Sequence, residues 1–437
     1  MDLRANDNYS ANDYMSETFL RELQLARLQN MVRHAYDNVA LFRSRMDERN
    51  IKPEDIKTLK DISLLPFCVK TDLRDTYPFG LCAVPMSEIV RLHASSGTTG
   101  KPIVVAYTQE DLKVWSEVMR RALCCCGLTK NDVVQVSYGY GLFTGGLGAH
   151  AGVEALGATV VPASGGNTKR QVMLIRDFGV NAICCTPSYF LHLIEQAKEL
   201  GIDLRDLPIR AGVFGAEPWT QGMRERLESS TGIEAFDIYG LSEIIGPGVA
   251  IECNQHQGLH IFEDHFYPEI IDPDTCEVLP DGETGELVLT TLSKYAMPMI
   301  RYRTRDITRI ITEKCACGRT MRRIDRISAR SDDMFIIRGV NVFPSQIEAA
   351  LLAVEGTTPN YMIKLSTTGN MDNIALDIEL LESVYAQGEA IIEQVRRMVT
   401  ATVESVTGLR IKVTVVPFNS ITRSEGKAKR VLDNRVR

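Results

Sequence analysis

A run of hydroxyl and glycine residues near position 100 has the composition of a phosphate-binding loop. It comprises Ser95, Ser96, Gly97, Thr98, Thr99, Gly100 and Lys101, and Pro102 follows it. Glycines leave backbone N–H groups accessible, hydroxyls add further donors, and the lysine supplies positive charge for a polyphosphate. A Walker A loop opens a helix, whereas the β-prone residues 103–105 follow here. We predict a phosphate-binding loop between two strands; the alternative is a solvated turn.

A second group, between positions 215 and 243, has the residue types that bind a nucleotide and its metal ion. Glu243 closes the run Tyr239, Gly240, Leu241, Ser242 and Glu243, and a carboxylate suits the Mg²⁺ that bridges phosphate oxygens. Glycines allow the backbone to approach a flat ring closely. The predicted nucleotide site also includes Gly215, Ala216, Glu217 and Asp237.

A third segment, Arg301–Asp306, alternates cations with other polar residues. The Asp306 carboxylate could accept hydrogen bonds from two ribose hydroxyls, while the arginines counter phosphate charge. A surface run of ion pairs is the alternative for this segment taken alone.

In this order, the three motifs resemble those of the adenylate-forming acyl-CoA synthetase superfamily, in particular its short phenylacetate–CoA ligase branch. The stretch from Arg330 to Pro344 is similar to the hinge of that branch. The run Arg423, Ser424, Glu425, Gly426 and Lys427 is similar to its catalytic-lysine loop. The resemblance covers nearly the whole chain.

This resemblance implies a two-step reaction with ATP, Mg²⁺ and coenzyme A. In the first step, Lys427 would contact the α-phosphate and Glu243 the Mg²⁺, while Asp306 and Arg330 hold the ribose. Residues 215–217 and Tyr239 would flank the adenine. In the second step, the small domain would rotate about Asp332 and bring Arg338 and Gly339 to the coenzyme A tunnel. Lys429 carries the same chemistry as Lys427, which is preferred because it follows Gly426.

The acyl pocket is predicted from the aromatic and small residues of the stretch 137–148. Tyr138, Tyr140 and Phe143 are the candidates for lining a slot that admits a flat ring. The alternative is a helix start that packs closely through its glycines. The resemblance favours phenylacetate, with benzoate or indoleacetate as other aryl acids and a carrier-protein thiol as another acceptor. A nucleotide-binding module without turnover is the hypothesis from a different class.

Cysteine and histidine residues outside these motifs suit a tetrahedral zinc site. The predicted ligands are Cys253, His260, Cys315 and Cys317, with His256 as an alternative to His260. Four protein ligands leave no open position, so a bound zinc would be structural. The alternative is a group of buried free thiols.

The elements that must position these residues follow an α/β pattern. Predicted strands at 103–107, 133–137, 159–162 and 181–185 alternate with helices at 168–178 and 189–200. The segment 266–292 predicts antiparallel hairpins. After position 330 we predict a helix with Pro344 in its first turn, strands at 359–365 and 373–381, a helix at 384–404 and a strand at 410–416. We therefore predict a large ATP- and acyl-binding domain (1–331) with layered sheets and helices plus a small antiparallel β subdomain, and a small mobile α+β domain (332–437).

The composition is that of a globular chain with small-molecule ligands. The 437 residues are 44% hydrophobic and 24% charged, which excludes collagen, coiled coil and disorder. With 49 basic and 56 acidic residues the net charge is −7, so neither a nucleic-acid nor a membrane partner is expected. The 11 cysteines are an odd number and include direct neighbours, which indicates reduced thiols. We expect a cytoplasmic protein, and the resemblance implies a homodimer.

Overall fold

The fold is that of a computed structural model, which describes residues 10–95, 102–330, 334–337, 340–368, 371–424 and 428–435. The helices are α1 (Glu17–Asn38), α2 (Ala40–Glu48), α3 (Lys70–Asp75), α4 (Gln109–Cys125), α5 (Thr144–Leu156), α6 (Thr168–Asp177), α7 (Pro187–Glu199), α8 (Gln221–Thr231), α9 (Pro344–Leu352), α10 (Glu382–Tyr385) and α11 (Glu389–Thr407). The strands are β1 (Ile89–Ser95), β2 (Ile103–Thr108), β3 (Val133–Val136), β4 (Thr159–Val161), β5 (Ala182–Cys185), β6 (Ala211–Gly215), β7 (Glu234–Leu241), β8 (Ile245–Glu252), β9 (Leu259–Ile261), β10 (Phe266–Ile271), β11 (Gly285–Thr291), β12 (Tyr302–Thr308), β13 (Ile310–Ile311), β14 (Arg323–Ile324), β15 (Ala329–Arg330), β16 (Phe335–Ile337), β17 (Val340–Val342), β18 (Thr357–Thr368), β19 (Met371–Leu380), β20 (Lys412–Val415) and β21 (Val431–Asn434).

A mixed sheet forms the centre of the large domain. Its strand order is β13-β14-β9-β8-β7-β6-β5-β3-β4, and the strands from β4 to β7 run parallel. Helices α5 to α8 connect these parallel strands, because parallel neighbours require crossover connections. At α7, Pro187 occupies the first turn and the Thr186 hydroxyl accepts the N–H of Tyr189, which fixes where the helix begins. The predicted α/β class is confirmed.

The predicted hairpins form a second, antiparallel sheet with the order β10-β11-β12-β15. Strand β12 carries the Tyr302–Asp306 part of the third motif, and Asp306 is paired with Arg330 of β15. Within the predicted hairpin segment 266–292, Val278 makes only an isolated bridge to Ile271. The sheet thus sets the two predicted ribose-binding residues side by side.

The C-terminal sheet has the order β20-β19-β18-β21, and α9 and α11 pack on it. Its buried residues form a hydrophobic cluster of their own, from Phe335 to Val413. The predicted single helix at 384–404 is wrong at its start, because Gly388, at φ +96°, separates α10 from α11. The other predicted elements of this domain are present.

Four of the cysteines that no motif uses are buried in the core. Cys125 and Cys126 at the end of α4, and Cys184 and Cys185 in β5, are buried, and all are free thiols. Of the helices that the structure describes, none has the length and apolar composition of a membrane span.

Candidate functional site

Glu243 lies in the tight turn between β7 and β8. The two strands are antiparallel, with Leu241 opposite Ile245, so residues 242–244 form the turn. A Cβ at Gly240 would approach the Ile245 carbonyl to 2.7 Å, and one at Gly215 would approach the Ile238 carbonyl to 2.3 Å. Glycine is therefore required at both positions, because the neighbouring backbone leaves no room for a side chain.

The Glu243 side chain is buried and faces a cation and a phenol. Lys70 Nζ, at the start of α3, lies 4.0 Å from Glu243 Oε1. Burial, the charge of Glu243 and a hydrogen bond to it raise the pKa of Tyr302. Lys294 donates from Nζ to the main-chain oxygen of Glu243 at 2.8 Å. Sequence reasoning missed both lysines; the signal for Lys294 was its place as the single charge between Glu286 and Arg301.

Tyr239, Asp306 and Arg330 meet at one carboxylate. The Tyr239 hydroxyl donates to Asp306 Oδ2 at 2.6 Å, and Arg330 Nη1 lies 3.4 Å from Oδ1. Burial and the Asp306 charge raise the pKa of Tyr239, which keeps its proton on the hydroxyl. Three residues predicted to bind one nucleotide, far apart in sequence, are thus in direct contact.

Asp237 lies on the same strand as Tyr239, two residues earlier, and is also buried. Its Oδ2 is 3.6 Å from Arg326 Nε, and its N–H donates to Glu252 Oε2 at 2.8 Å. Burial, together with the charge of Glu252, raises the pKa of Asp237 to about 6. The carboxyl is therefore part of a buried charge network at the edge of the site.

The segment 215–217 leaves β6 with a strained residue. Ala216 has φ +69°, a conformation that L-residues rarely adopt and that clusters at functional sites. Glu217 accepts the N–H of Ser188 at 2.8 Å through Oε1 and the N–H of Ala428 at 2.9 Å through Oε2. The Glu217 carboxylate thus bridges α7 of the large domain and the residue that follows Lys427.

A largely buried arginine makes a second contact between the two domains. Arg423 Nε lies 3.1 Å from Glu195 Oε2 of α7, and its Nη2 lies 2.8 Å from Glu379 Oε2 of β19. Arg226 of α8 donates to the Thr357 carbonyl at 3.0 Å. Arg423 is therefore shared between a carboxylate of its own domain and one of the large domain.

The candidate acyl residues differ in exposure. Tyr138 is buried, and no hydrogen-bond partner of its hydroxyl is found among the described residues. The Tyr140 hydroxyl lies 3.2 Å from His150 Nδ1. Phe143, at the start of α5, is exposed. The next residue, Thr144, contacts the Ser242 hydroxyl at 3.3 Å, which links this stretch to the turn that carries Glu243.

Several predicted residues lie outside the described part of the chain. These are Ser96, Gly97, Thr98, Thr99, Gly100, Lys101, Asp332, Arg338, Gly339 and Lys427. Ser95 ends β1 and pairs with Ile103 of β2, so the predicted phosphate loop connects two antiparallel strands. Lys429, the alternative to Lys427, is exposed.

A separate cluster brings together Cys253, His260, Cys315 and Cys317. Cys253 follows β8, His260 lies on β9, and the two other cysteines lie between β13 and β14. Their candidate ligand atoms all lie within 4.8 Å of one another, and all four residues are buried. Gly318, at φ +81°, donates its N–H to the Cys315 carbonyl, which closes a tight turn around the two cysteines.

Two of the distances within the cluster are close to those of a tetrahedral metal site, and the others are at most 4.8 Å. Cys253 Sγ and Cys315 Sγ are 3.6 Å apart, and Cys317 Sγ is 3.4 Å from His260 Nε2. Ligands at zinc–sulfur and zinc–nitrogen bond lengths on a tetrahedron would be separated by about 3.5 to 3.8 Å. His260 Nδ1 lies 3.3 Å from the Met321 carbonyl, which directs Nε2 toward the cysteines. His256, the alternative ligand, lies outside this group and contacts Glu234 instead.

Comparison with known proteins identifies relatives along the whole chain. The model of the AMP-binding enzyme family matches residues 22–293, and that of the AMP-binding enzyme C-terminal domain matches residues 339–435. A phenylacetate–coenzyme A ligase of Pseudomonas putida is 52% identical over 95% of this chain and 94% of its own length. One from Escherichia coli (strain K12) is 51% identical over 95% of both chains.

Solved structures of a CoA ligase have the same fold as this chain. 2-Hydroxyisobutyryl-CoA ligase in the postadenylation state, with R3-HIB-AMP, has a TM-score of 0.93 at 31% identity, over 98% of this chain and 93% of that chain. The same ligase with 2-HIB-AMP and CoA in the thioesterification state has a TM-score of 0.72 at 32% identity, over 97% and 91%. The chain therefore belongs to the AMP-binding enzyme family, among the phenylacetate–coenzyme A ligases.

Proposed function

We propose that this protein converts phenylacetate to its coenzyme A thioester in two steps. In the first, an oxygen of the substrate carboxylate attacks the α-phosphorus of ATP, pyrophosphate leaves, and an acyl-adenylate forms. In the second, the sulfur of coenzyme A attacks the acyl carbon, its proton is released, and AMP leaves. The observation that carries the proposal is the contact of Tyr239, Asp306 and Arg330 beside Glu243, in a chain whose curated relatives are phenylacetate–coenzyme A ligases.

The nucleotide would lie against β7 and β12. Asp306 is held by Tyr239 and Arg330, so its carboxylate is oriented to accept ribose hydroxyls without further rearrangement. The adenine would lie along residues 215–217, where Ala216 is strained, with Asp237 at the edge of this site. Positioning is the main catalytic contribution here, since the reaction requires no protein nucleophile.

The phosphates would lie between Glu243 and the loop 95–101. Glu243 would bind Mg²⁺, which neutralises phosphate charge when bound, and Lys70 adds a cation 4.0 Å from this carboxylate. Lys427 would stabilise the charge that develops at the α-phosphate. The hydrogen bond from Ala428, the next residue, to Glu217 supports this placement, because it ties that part of the chain to the nucleotide site.

The domain boundary is proposed at residues 331 and 332, with Asp332 as the hinge. Arg338 and Gly339 would reach the coenzyme A tunnel after rotation of the small domain. Two observations support the proposal that the present orientation is the adenylating one. The TM-scores are 0.93 and 0.72 against the postadenylation and thioesterification states of one ligase, and Arg423 contacts Glu195 across the domains.

The acyl slot is proposed along residues 138–143. Tyr138 and Tyr140 would offer apolar ring surface in a stretch that Thr144 links to the turn that carries Glu243, whereas Phe143 would cover the slot from its exposed position. A hydrophobic slot discriminates weakly between aryl acids of similar shape, so benzoate, which is one methylene shorter, and indoleacetate, which has a larger ring on the same linker, remain competing substrates. Structural zinc at Cys253, His260, Cys315 and Cys317 would join β8 and β9 to the segment before β14; the ligand distances support this.

The test is an assay with ATP, Mg²⁺, coenzyme A and a panel of aryl acids, in which AMP and thioester are measured separately. We expect AMP and thioester in equal amounts, with phenylacetate giving the highest kcat/KM. AMP without a coenzyme A thioester would favour a carrier-protein thiol as acceptor, and no turnover with any acid would contradict the proposal. A Lys427→Ala variant that retained full adenylation would contradict the role of Lys427. Size measurement in solution tests the expected homodimer.

A further inference from the structure

Lys294 is a fully buried charge that the proposed reaction steps do not use. It lies between β11 and β12, its exposed fraction is 2%, and its neighbours Leu292 and Ala296 are also buried. Transfer of an ammonium group into a protein interior is costly unless the group is paired or hydrogen-bonded. A lysine at this position therefore requires an explanation in terms of its contacts.

The contacts of Lys294 are to a main-chain oxygen and an aromatic face. Nζ donates to the Glu243 carbonyl at 2.8 Å and lies 4.7 Å from the centre of the Tyr107 ring. Among the residues that the structure describes, no carboxylate oxygen lies within 4.0 Å of Nζ. The ammonium is thus directed at the backbone of the turn that carries Glu243, and its interaction with the ring adds to that placement.

Tyr107 binds the preceding carbonyl of the same turn. Its hydroxyl donates to the Ser242 oxygen at 3.3 Å, so two successive carbonyls are held by two side chains that touch each other. The Asp111 carboxylate accepts the N–H groups of the residues after Lys294, Tyr295 at 2.6 Å and Ala296 at 3.0 Å. The first turn of α4 therefore holds the backbone after Lys294, and Lys294 holds the turn between β7 and β8 that carries Glu243.

We propose that Lys294 is a positioning residue for adenylation, which acts by fixing the main chain of Glu243 so that its carboxylate stays beside Lys70 and Tyr302. This inference rests on the proposed role of Glu243 as the Mg²⁺ ligand. Burial lowers the pKa of Lys294 to about 8, and the nearby carboxylates of Asp111 and Glu243 oppose this shift. The group is accordingly a cation at neutral pH, the form that can donate to the carbonyl.

The test is Lys294→Met, which keeps most of the stem and removes the ammonium. Pyrophosphate exchange with ATP and phenylacetate is measured while Mg²⁺ is varied. We expect the Mg²⁺ concentration for half-maximal exchange to rise about 10- to 100-fold, because the variant loses one hydrogen bond from a charged donor. The KM for phenylacetate should not change. Lys113→Met is the matched control, because Lys113 is an exposed lysine on α4; it should change neither value.

A merely structural lysine gives a different result. Lys294→Met would then lower the melting temperature and the amount of active enzyme, while the Mg²⁺ requirement of the remaining enzyme stays at the wild-type value. That outcome overturns the proposal. If Lys294→Met does not fold, Tyr107→Phe replaces it, because it removes only the hydroxyl bound to Ser242. A raised Mg²⁺ requirement in this variant supports the proposal and an unchanged one contradicts it.

Glu243→Gln separates this inference from the function on which it rests. If Glu243→Gln leaves the Mg²⁺ requirement unchanged, the proposed role of Glu243 is wrong and the inference fails with it. If Glu243→Gln raises the requirement and Lys294→Met does not, only the inference fails. When Lys294 acts through Glu243, adding Lys294→Met to Glu243→Gln causes less than the product of the two single effects. A double variant whose effect equals the product of the two single effects would contradict action of Lys294 through Glu243.

Discussion

The contact between Arg423 and Glu195 predicts that the two half-reactions can be separated by one substitution. The guanidinium is largely buried and lies 3.1 Å from Glu195 in the large domain and 2.8 Å from the fully buried Glu379 in the small domain. Burial raises the pKa of Glu195, but His192 and Arg423 outweigh it and leave the pKa lowered, so the group is a carboxylate at neutral pH. Because Arg423 and Glu195 belong to different domains, their ion pair stabilises only the present domain orientation.

Glu195→Gln removes one charge of this contact and leaves Arg423 paired with Glu379. A hydrogen bond between charged groups contributes about 1.5–3 kcal/mol, and the partial exposure of Glu195 reduces this to about 1–2 kcal/mol. The population of the present orientation relative to others should fall about 5- to 30-fold. If the present orientation is the adenylating one, adenylation slows once this orientation is no longer the most populated one.

The assay measures each half-reaction by itself. Pyrophosphate exchange reports adenylation, and thioester formation from added phenylacetyl-adenylate and coenzyme A reports the second step. We expect Glu195→Gln to slow the first and to leave the second unchanged or faster. Glu393→Gln is the control, because Glu393 pairs with Arg396 and Arg397 of its own helix. Equal losses in both half-reactions, or none in either, would refute the reasoning.

Three further predictions concern other parts of the site. Tyr239→Phe removes the 2.6 Å hydrogen bond to Asp306 and should lower kcat/KM for ATP about 10- to 100-fold in pyrophosphate exchange, with an unchanged KM for phenylacetate; an unchanged ATP dependence would contradict the ribose site. Burial raises the pKa of Asp237 to about 6, above the ~3.9 of the unfolded chain, so the protein loses stability as pH rises between these values. The free energy of unfolding of Asp237→Asn should therefore exceed that of wild type by up to about 3 kcal/mol at pH 8, and thermal unfolding should show this difference narrowing toward pH 4. A difference that does not depend on pH would contradict the raised pKa of Asp237. Cys317→Ser should lose zinc in metal analysis and unfold at a lower temperature, and purified wild type without zinc would contradict the metal site.

Short-range chemistry in the sequence was sufficient to predict the alternation of strands and helices, and it supplied the candidate residues of the proposed nucleotide site. Hydrophobic periodicity fixes element type because a strand or helix must bury one face. Thus β5 and α7 lie where the sequence predicted them, whereas the break at Gly388 was missed.

Only the tertiary structure decided which of these residues meet. The spacing of Tyr239, Asp306 and Arg330 in the sequence does not predict that the first and third contact the carboxylate of the second. The pairing of β12 with β15 and the position of β7 bring them together. The register of β9 with β8 and β14 places His260, and not His256, beside the three cysteines. Lys294 was unrecognised because its effect depends on burial and on a main-chain oxygen 51 residues away, and a sequence specifies residue types but no distances.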